Sequence, residues 1–371
     1  TSCQSDVPSQ GIADAQLEEF RGSARVEEWL SKMTLEDKVG EMTQLTLDML
    51  CVREMSEVPG QRKKIDEPHR LDAERLQSAF EVGRIGSVLN CAGHAYPTSQ
   101  WRELVSGIQD ASMQAKGLPA IYGVDAIHGA TFTSGAALGP QQIALAATWD
   151  TLLVRQMAEA TAQEIDACGI PWNFAPVLDV GRDPRWPRFW ETFGEDVKLV
   201  GDMGVAMVRG FQDGPVTVAA TLKHYLGYSS PWSGKDRTPA YIPERQLREI
   251  YLPPFAQAVN AGAITVMVNS GEMNGIPTHV NRFVLTDILR GELKFEGLAV
   301  TDWEDIKYLV SRHKVAPTYK DAIRMAILAG IDMSMVPQDL KFPVLLKELV
   351  EEGQISELSL IHISEPTRHE R

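Results

Sequence analysis

Basic residues are scarce relative to acids in this chain. Its 371 residues hold 36 lysines and arginines against 50 aspartates and glutamates, a formal charge of −14. Nucleic-acid binding depends on clustered cations that displace counterions from phosphate, so that class of partner is set aside. Cysteine is sparse as well. Cys51, Cys91 and Cys168 show no zinc-type spacing and read as free thiols, because a chain of this length buries enough core to stand without disulfide staples. No apolar run approaches the roughly 20 residues of a membrane span. P-loop, dinucleotide fingerprint and Ser-His-Asp order are all missing, so no cofactor is called for. No internal repeat or low-complexity tract interrupts the chain.

What is present is periodic. From about residue 24 amphipathic helical segments alternate with short apolar runs. The runs at 42–47, 85–90, 120–125, 172–177, 218–224, 264–269, 298–302 and 331–335 predict strands, although 42–47 would serve equally well as the end of a helix. Helical patterns at 150–168, 196–212, 244–261 and 319–329 fall between them. Regular alternation implies parallel strands joined by crossover helices, and eight rounds favour a closed (β/α)₈ TIM-type barrel over an open sheet. Thr34 with Asp37 offers a capping box, and Gly169 and Gly262 stand where helices should stop.

The polar clusters sit at the ends of these strands, which in such a barrel converge on one face. Gly297-Leu298-Ala299-Val300-Thr301-Asp302-Trp303 is a strand ending at a carboxylate beside a flat aromatic. A carboxylate so placed suits stabilisation of a sugar's cationic transition state, with the ring for stacking. Asp125 follows the third strand; alone, it would serve as well as a helix cap or in a buried ion pair. The fourth strand leads into 182–196, rich in arginine, aromatics and acids, where Arg182, Asp183, Arg185 and Glu191 suggest mutual pairing. Lys223 and His224 end the fifth strand, and both reach one pocket only where the strand breaks its pleat. Lys223 fits two roles, pairing with carboxylates and sugar hydroxyls or forming an imine. Asn269 and Glu272 fit a pocket or a turn. His128, His224 and Asp125 lack any spaced metal motif.

Taken together, 123–129, 182–196, 223–227 and 298–303 resemble the β-glucosidases of glycoside hydrolase family 3 over roughly residues 27–352. The resemblance implies a barrel domain that removes single sugars from the non-reducing end of β-linked glucose oligosaccharides, with retention of configuration. By motif, Asp302 matches the nucleophile and Trp303 a stacking residue beyond the cleaved bond. Asp125, Arg188, Lys223 and His224 match residues that hold the terminal sugar, and Arg237 matches a further pocket arginine. Glucose and xylose both remain open as the sugar removed. The resemblance also implies an exported, periplasmic setting, and a second α/β domain after the barrel that carries the general acid/base.

Three departures from the family pattern carry expectations. Pro187 replaces a frequent glycine. Ser270 stands where many members carry a tyrosine bonded to the nucleophile; being shorter, it predicts that water or another side chain fills that place. The chain also ends before a second domain could form. The termini have their own readings: 1–23 as a polar tether with Cys3 as a lipid-bearing lipoprotein cysteine, 24–355 as the barrel, and 356–371 as a tail of non-native appearance.

Overall fold

The computed structural model describes residues 24–52, 69–91, 93–357 and 360. The tether reading with Cys3, and most of the tail, lie outside them; Leu360 is buried against the core and Glu357 pairs with Lys38. Ten strands are present among the described residues: β1 (Thr43–Thr46), β2 (Ser87–Leu89), β3 (Ile121–Val124), β4 (Trp172–Asn173), β5 (Ala219–Tyr225), β6 (Thr265–Val268), β7 (Glu272–Met273), β8 (Ile276–Pro277), β9 (Leu298–Val300) and β10 (Ser334–Met335). Eight of them form one parallel sheet in the order β10-β1-β2-β3-β4-β5-β6-β9, while β7 and β8 pair as a small hairpin. A parallel bridge from Val300 to Met333 brings the two outer strands together. The result is the (β/α)₈ barrel expected from the alternation. The run at 42–47 resolves as a strand, fully buried over Thr43–Thr46.

Asp332 secures the closing seam. Its Oδ2 accepts the Ala299 N–H at 2.6 Å and Arg290 Nη2 at 2.5 Å, so one carboxylate joins β9, the start of β10 and the helical segment Phe283–Glu292. Helices pack around the outside, and the largest are Thr98–Lys116, Thr151–Asp166 and Val197–Gln212. Thr34 and Asp37 form the reciprocal capping box ahead of Leu35–Glu41. Gly169 and Gly262 take positive φ (82° and 92°) after their helices, as the turns there require.

The barrel interior holds a separate apolar cluster that includes Leu89, Trp172, Phe174, Met267 and Met335. Trp172 donates its indole N–H to Thr221 Oγ1 (2.8 Å) and Thr265 Oγ1 (3.0 Å), so the polar atom of this buried ring is satisfied. Cys51, Cys91 and Cys168 are buried.

Candidate active site

Asp302 follows β9 by two residues, at the carboxyl rim of the barrel. Its Oδ2 accepts a hydrogen bond from Ser270 Oγ at 2.8 Å. Its Oδ1 accepts the Trp303 backbone N–H at 2.5 Å and lies 3.5 Å from Arg237 Nη2. Burial pushes this carboxyl up. Arg237 and Arg188, with the Trp303 N–H and the Ser270 hydroxyl, outweigh burial and hold it below the usual carboxylate range. The outcome is a buried, ionised carboxylate. The water or extra side chain expected beside Ser270 is not needed, because β6 and β9 are hydrogen-bonded neighbours and the short side chain reaches Asp302 directly.

A second group gathers at the ends of β3 and β5. Lys223, 2% exposed, donates to Asp125 Oδ1 at 2.6 Å, and Asn90 Nδ2 donates to Asp125 Oδ2 at 2.7 Å. Asn90 Oδ1 also accepts the Asp125 N–H at 2.9 Å, so one amide clamps the residue twice. Of the two roles open to Lys223, this geometry supports pairing. The strand register shifts between Leu222 and Tyr225, which is the break in pleat that lets neighbouring residues serve one pocket.

His224 donates or accepts through Nδ1 with Asp179 Oδ2 at 2.7 Å, and the same oxygen accepts its backbone N–H at 3.1 Å. Burial above all, then Arg188, Lys223 and Arg237, keeps the imidazole well below its ordinary range. Burial likewise pushes Asp179 up to about 8 against the His224 N–H and Arg188. Arg188 makes a fork to Glu191, Nε to Oε1 at 2.8 Å and Nη2 to Oε2 at 2.7 Å, and lies 5.8 Å from the Tyr228 ring. Tyr228 in turn packs edge-on against His224.

Asp302, Arg188, Arg237, Asp125, Lys223 and His224 thus share one end of the barrel. Trp303 is half-buried and packs against the interior cluster. Asn269 serves its own turn, with Nδ2 to the Leu226 carbonyl and Oδ1 from the Gly271 N–H, both at 2.6 Å. Glu272 accepts from His313. Asp183 pairs with Arg185, and Glu191 with Arg188. His128 is taken up by the Gly139 carbonyl, and among the described residues no group of three or more His, Cys, Asp or Glu side chains is placed to hold a metal. Sequence reasoning passed over Asn90, Asp179, Asp305 and His279. For Asp179 the signal was a lone acid in the apolar stretch 174–180. Asp305 stands three residues beyond Asp302, at the start of the next helix.

The family described as "Glycosyl hydrolase family 3 N terminal domain" matches residues 34–365. The lysosomal beta glucosidase of Dictyostelium discoideum is 43% identical over 357 residues, 90% of this chain and 42% of that protein. The periplasmic beta-glucosidase of Salmonella typhimurium is 30% identical over 352 residues, 93% of this chain and 41% of that protein. The crystal structure of a beta-glucosidase from Listeria innocua in complex with glucose superposes with a TM-score of 0.77 at 31% identity, covering 92% of this chain and 45% of that one. The chain therefore spans less than half the length of these relatives.

Proposed function

We propose, for a chain that belongs to glycosyl hydrolase family 3 through its N-terminal domain, that it is the sugar-binding and nucleophile-bearing part of a retaining, exo-acting β-glucosidase. The observation that carries the reading is Asp302, a buried carboxylate kept ionised by two arginines at the open end of the barrel. In the reaction an Asp302 oxygen attacks the anomeric carbon. The bond to the leaving oxygen breaks, and a glycosyl ester forms. A general acid, assigned to a second α/β domain, gives its proton to the departing oxygen. It then takes one from water, which attacks the same carbon and frees Asp302. In such retaining pairs the two carboxyls stand about 5–5.5 Å apart.

Asp125, Lys223, His224, Arg188 and Arg237 supply donors and acceptors for the hydroxyls of the terminal glucose, and Trp303 stacks the next sugar. General acid catalysis contributes roughly 10²–10⁴-fold for poor leaving groups, so the barrel assayed apart from the domain that supplies the acid should hydrolyse oligosaccharides slower by about that factor. Export to the periplasm, with Cys3 as a lipid anchor, belongs to the same reading and draws on the periplasmic Salmonella relative. Among the described residues no helix is long and apolar enough to cross a membrane.

A 2-deoxy-2-fluoro-β-glucoside with a dinitrophenyl leaving group tests the proposal, because it traps the ester without needing the acid. Peptide mass spectrometry should find one label, on Asp302, and none in Asp302→Asn. A label on any other residue overturns the assignment. Faster labelling by the matching xyloside would move the specificity to xylose.

A further inference from the structure

Asp305 opens the helix Asp305–Ser311 and is 2% exposed. Its Oδ1 accepts Arg237 Nη1 at 3.1 Å, while Nη2 of the same guanidinium faces Asp302 at 3.5 Å. One cation therefore lies between two buried carboxyls. Its other oxygen, Oδ2, is 3.7 Å from His279 Nε2, and both of these buried atoms lack a hydrogen-bond partner.

Arg237 is the cation that both carboxyls share, and two like charges beside one cation each disfavour ionisation of the other. Asp302 has the stronger claim to the negative charge. It receives Ser270, the Trp303 N–H and the field of Arg188 in addition to Arg237. We propose that Asp305 is a positioning residue for the nucleophile: as an uncharged carboxyl it anchors one arm of Arg237 and leaves the guanidinium's charge to Asp302. This rests on Asp302 being the nucleophile.

The surroundings agree. Burial first, then the charge of Asp302, pushes Asp305 up to about 8 against Arg237, Ser270 and Arg312. His279, from the turn Thr278–Val280, is kept uncharged down to about 3, foremost by burial; His313 and Arg237 add to this while Asp302 opposes it. No other cation is therefore supplied to Asp305 from that side. Arg237 itself has φ 55° and rests 5.8 Å from the Tyr308 ring, so its own backbone and the helix face fix where it can reach.

The test compares the native chain with Asp305→Asn and Asp305→Ala. Labelling by the fluoroglucoside is followed from about pH 3 to 8, a window that reaches the acid limb of a carboxyl held below its usual range, with circular dichroism and thermal melting as checks on folding. Asp305→Ala should lower the labelling rate about tenfold and move its acid limb up by about one pH unit, because Arg237 loses its anchor. Asp305→Asn keeps an uncharged acceptor, so the limb should stay in place and most of the rate return. An alanine variant with native limb and rate overturns the proposal. So does an asparagine variant whose limb moves down, since Asp305 would then have carried charge beside Asp302. Should alanine prevent folding, the asparagine limb alone decides. A carbon-13 titration of the Asp302 carboxyl, assigned by its loss in Asp302→Asn, reads the same shifts without chemistry. A native chain that takes no label thus sinks the nucleophile reading, while the titration still judges Asp305.

Discussion

Ser270 is the smallest lever on Asp302. Its hydroxyl is one of two hydrogen-bond donors that Asp302 meets at 2.8 Å or less, the other being the Trp303 N–H. A hydrogen bond to a charged group contributes about 1.5–3 kcal/mol to the ionised form, and 1.36 kcal/mol corresponds to one pH unit. Ser270→Ala should therefore raise the Asp302 carboxyl by about one unit, so that ionisation needs higher pH. Labelling should slow near pH 4 and recover by about pH 6; an unmoved acid limb would show that the two arginines suffice. The residues bearing charge at strand ends were legible in the sequence, because an acid or lysine closing an apolar run has few uses other than chemistry or pairing. Their partners were not. Asn90 looks like an ordinary turn residue, yet it holds Asp125 at two points. Ser270 was misjudged because side-chain length says nothing of how close two adjacent strands bring their ends. Nor does the sequence say which cation meets which acid: Lys223 pairs with Asp125, and Arg237 is the one beside Asp302.

At the level of elements, the seam between β9 and β10 carries backbone hydrogen bonds and two side-chain contacts, Thr301 Oγ1 accepting the Met335 N–H at 2.9 Å and the carboxylate of Asp332. Removing Asp332 leaves the Arg290 guanidinium and the Ala299 N–H without their shared acceptor. Deleting one partner of a buried ion pair costs about 3–5 kcal/mol, so Asp332→Ala should lower the urea midpoint of unfolding by that equivalent. A change under about 1 kcal/mol would mean that the backbone bonds and Thr301 hold the seam without Asp332. All eight barrel strands were readable, because parallel strands buried on both faces give continuous apolar runs. Their lengths were overestimated. The run at 172–177 yields a ladder only at Trp172–Asn173, and 264–269 stops at Val268. Beyond Asn173 the ladder with β5 is interrupted and resumes only as a parallel bridge from Val177 to Lys223, and periodicity carries no sign of that break. The hairpin Glu272–Pro277 was hidden for a different reason, since two strands of two residues each are too short for any alternation to register.

Over the whole molecule, two buried carboxyl–imidazole pairs set how stability should follow pH. His224 with Asp179 and His279 with Asp305 are each inside the rim, 2.7 Å and 3.7 Å apart. In the folded chain each pair holds one proton up to about pH 8, the value to which burial pushes both acids, while burial keeps both imidazoles from taking a second. Unfolded, the same two groups titrate near 3.8 and 6.5. Between about 4 and 6.5 an unfolded pair also holds one proton, so neither state gains and stability should be level. Above 6.5 the unfolded pair holds none and the folded pair still one. Stability should then fall with rising pH, approaching roughly 1.4 kcal/mol per pH unit for each pair until about pH 8. Below about 4 the loss reverses origin: Asp302 is held under the usual range by its arginines, and its contribution disappears as it is protonated. Urea midpoints at pH 5, 6, 7 and 8 should therefore show a plateau followed by a decline. Asp305→Asn, which removes one titrating acid, should halve that decline. Midpoints that climb between pH 6.5 and 8 would place the protons on the wrong state and remove the ground for an uncharged Asp305.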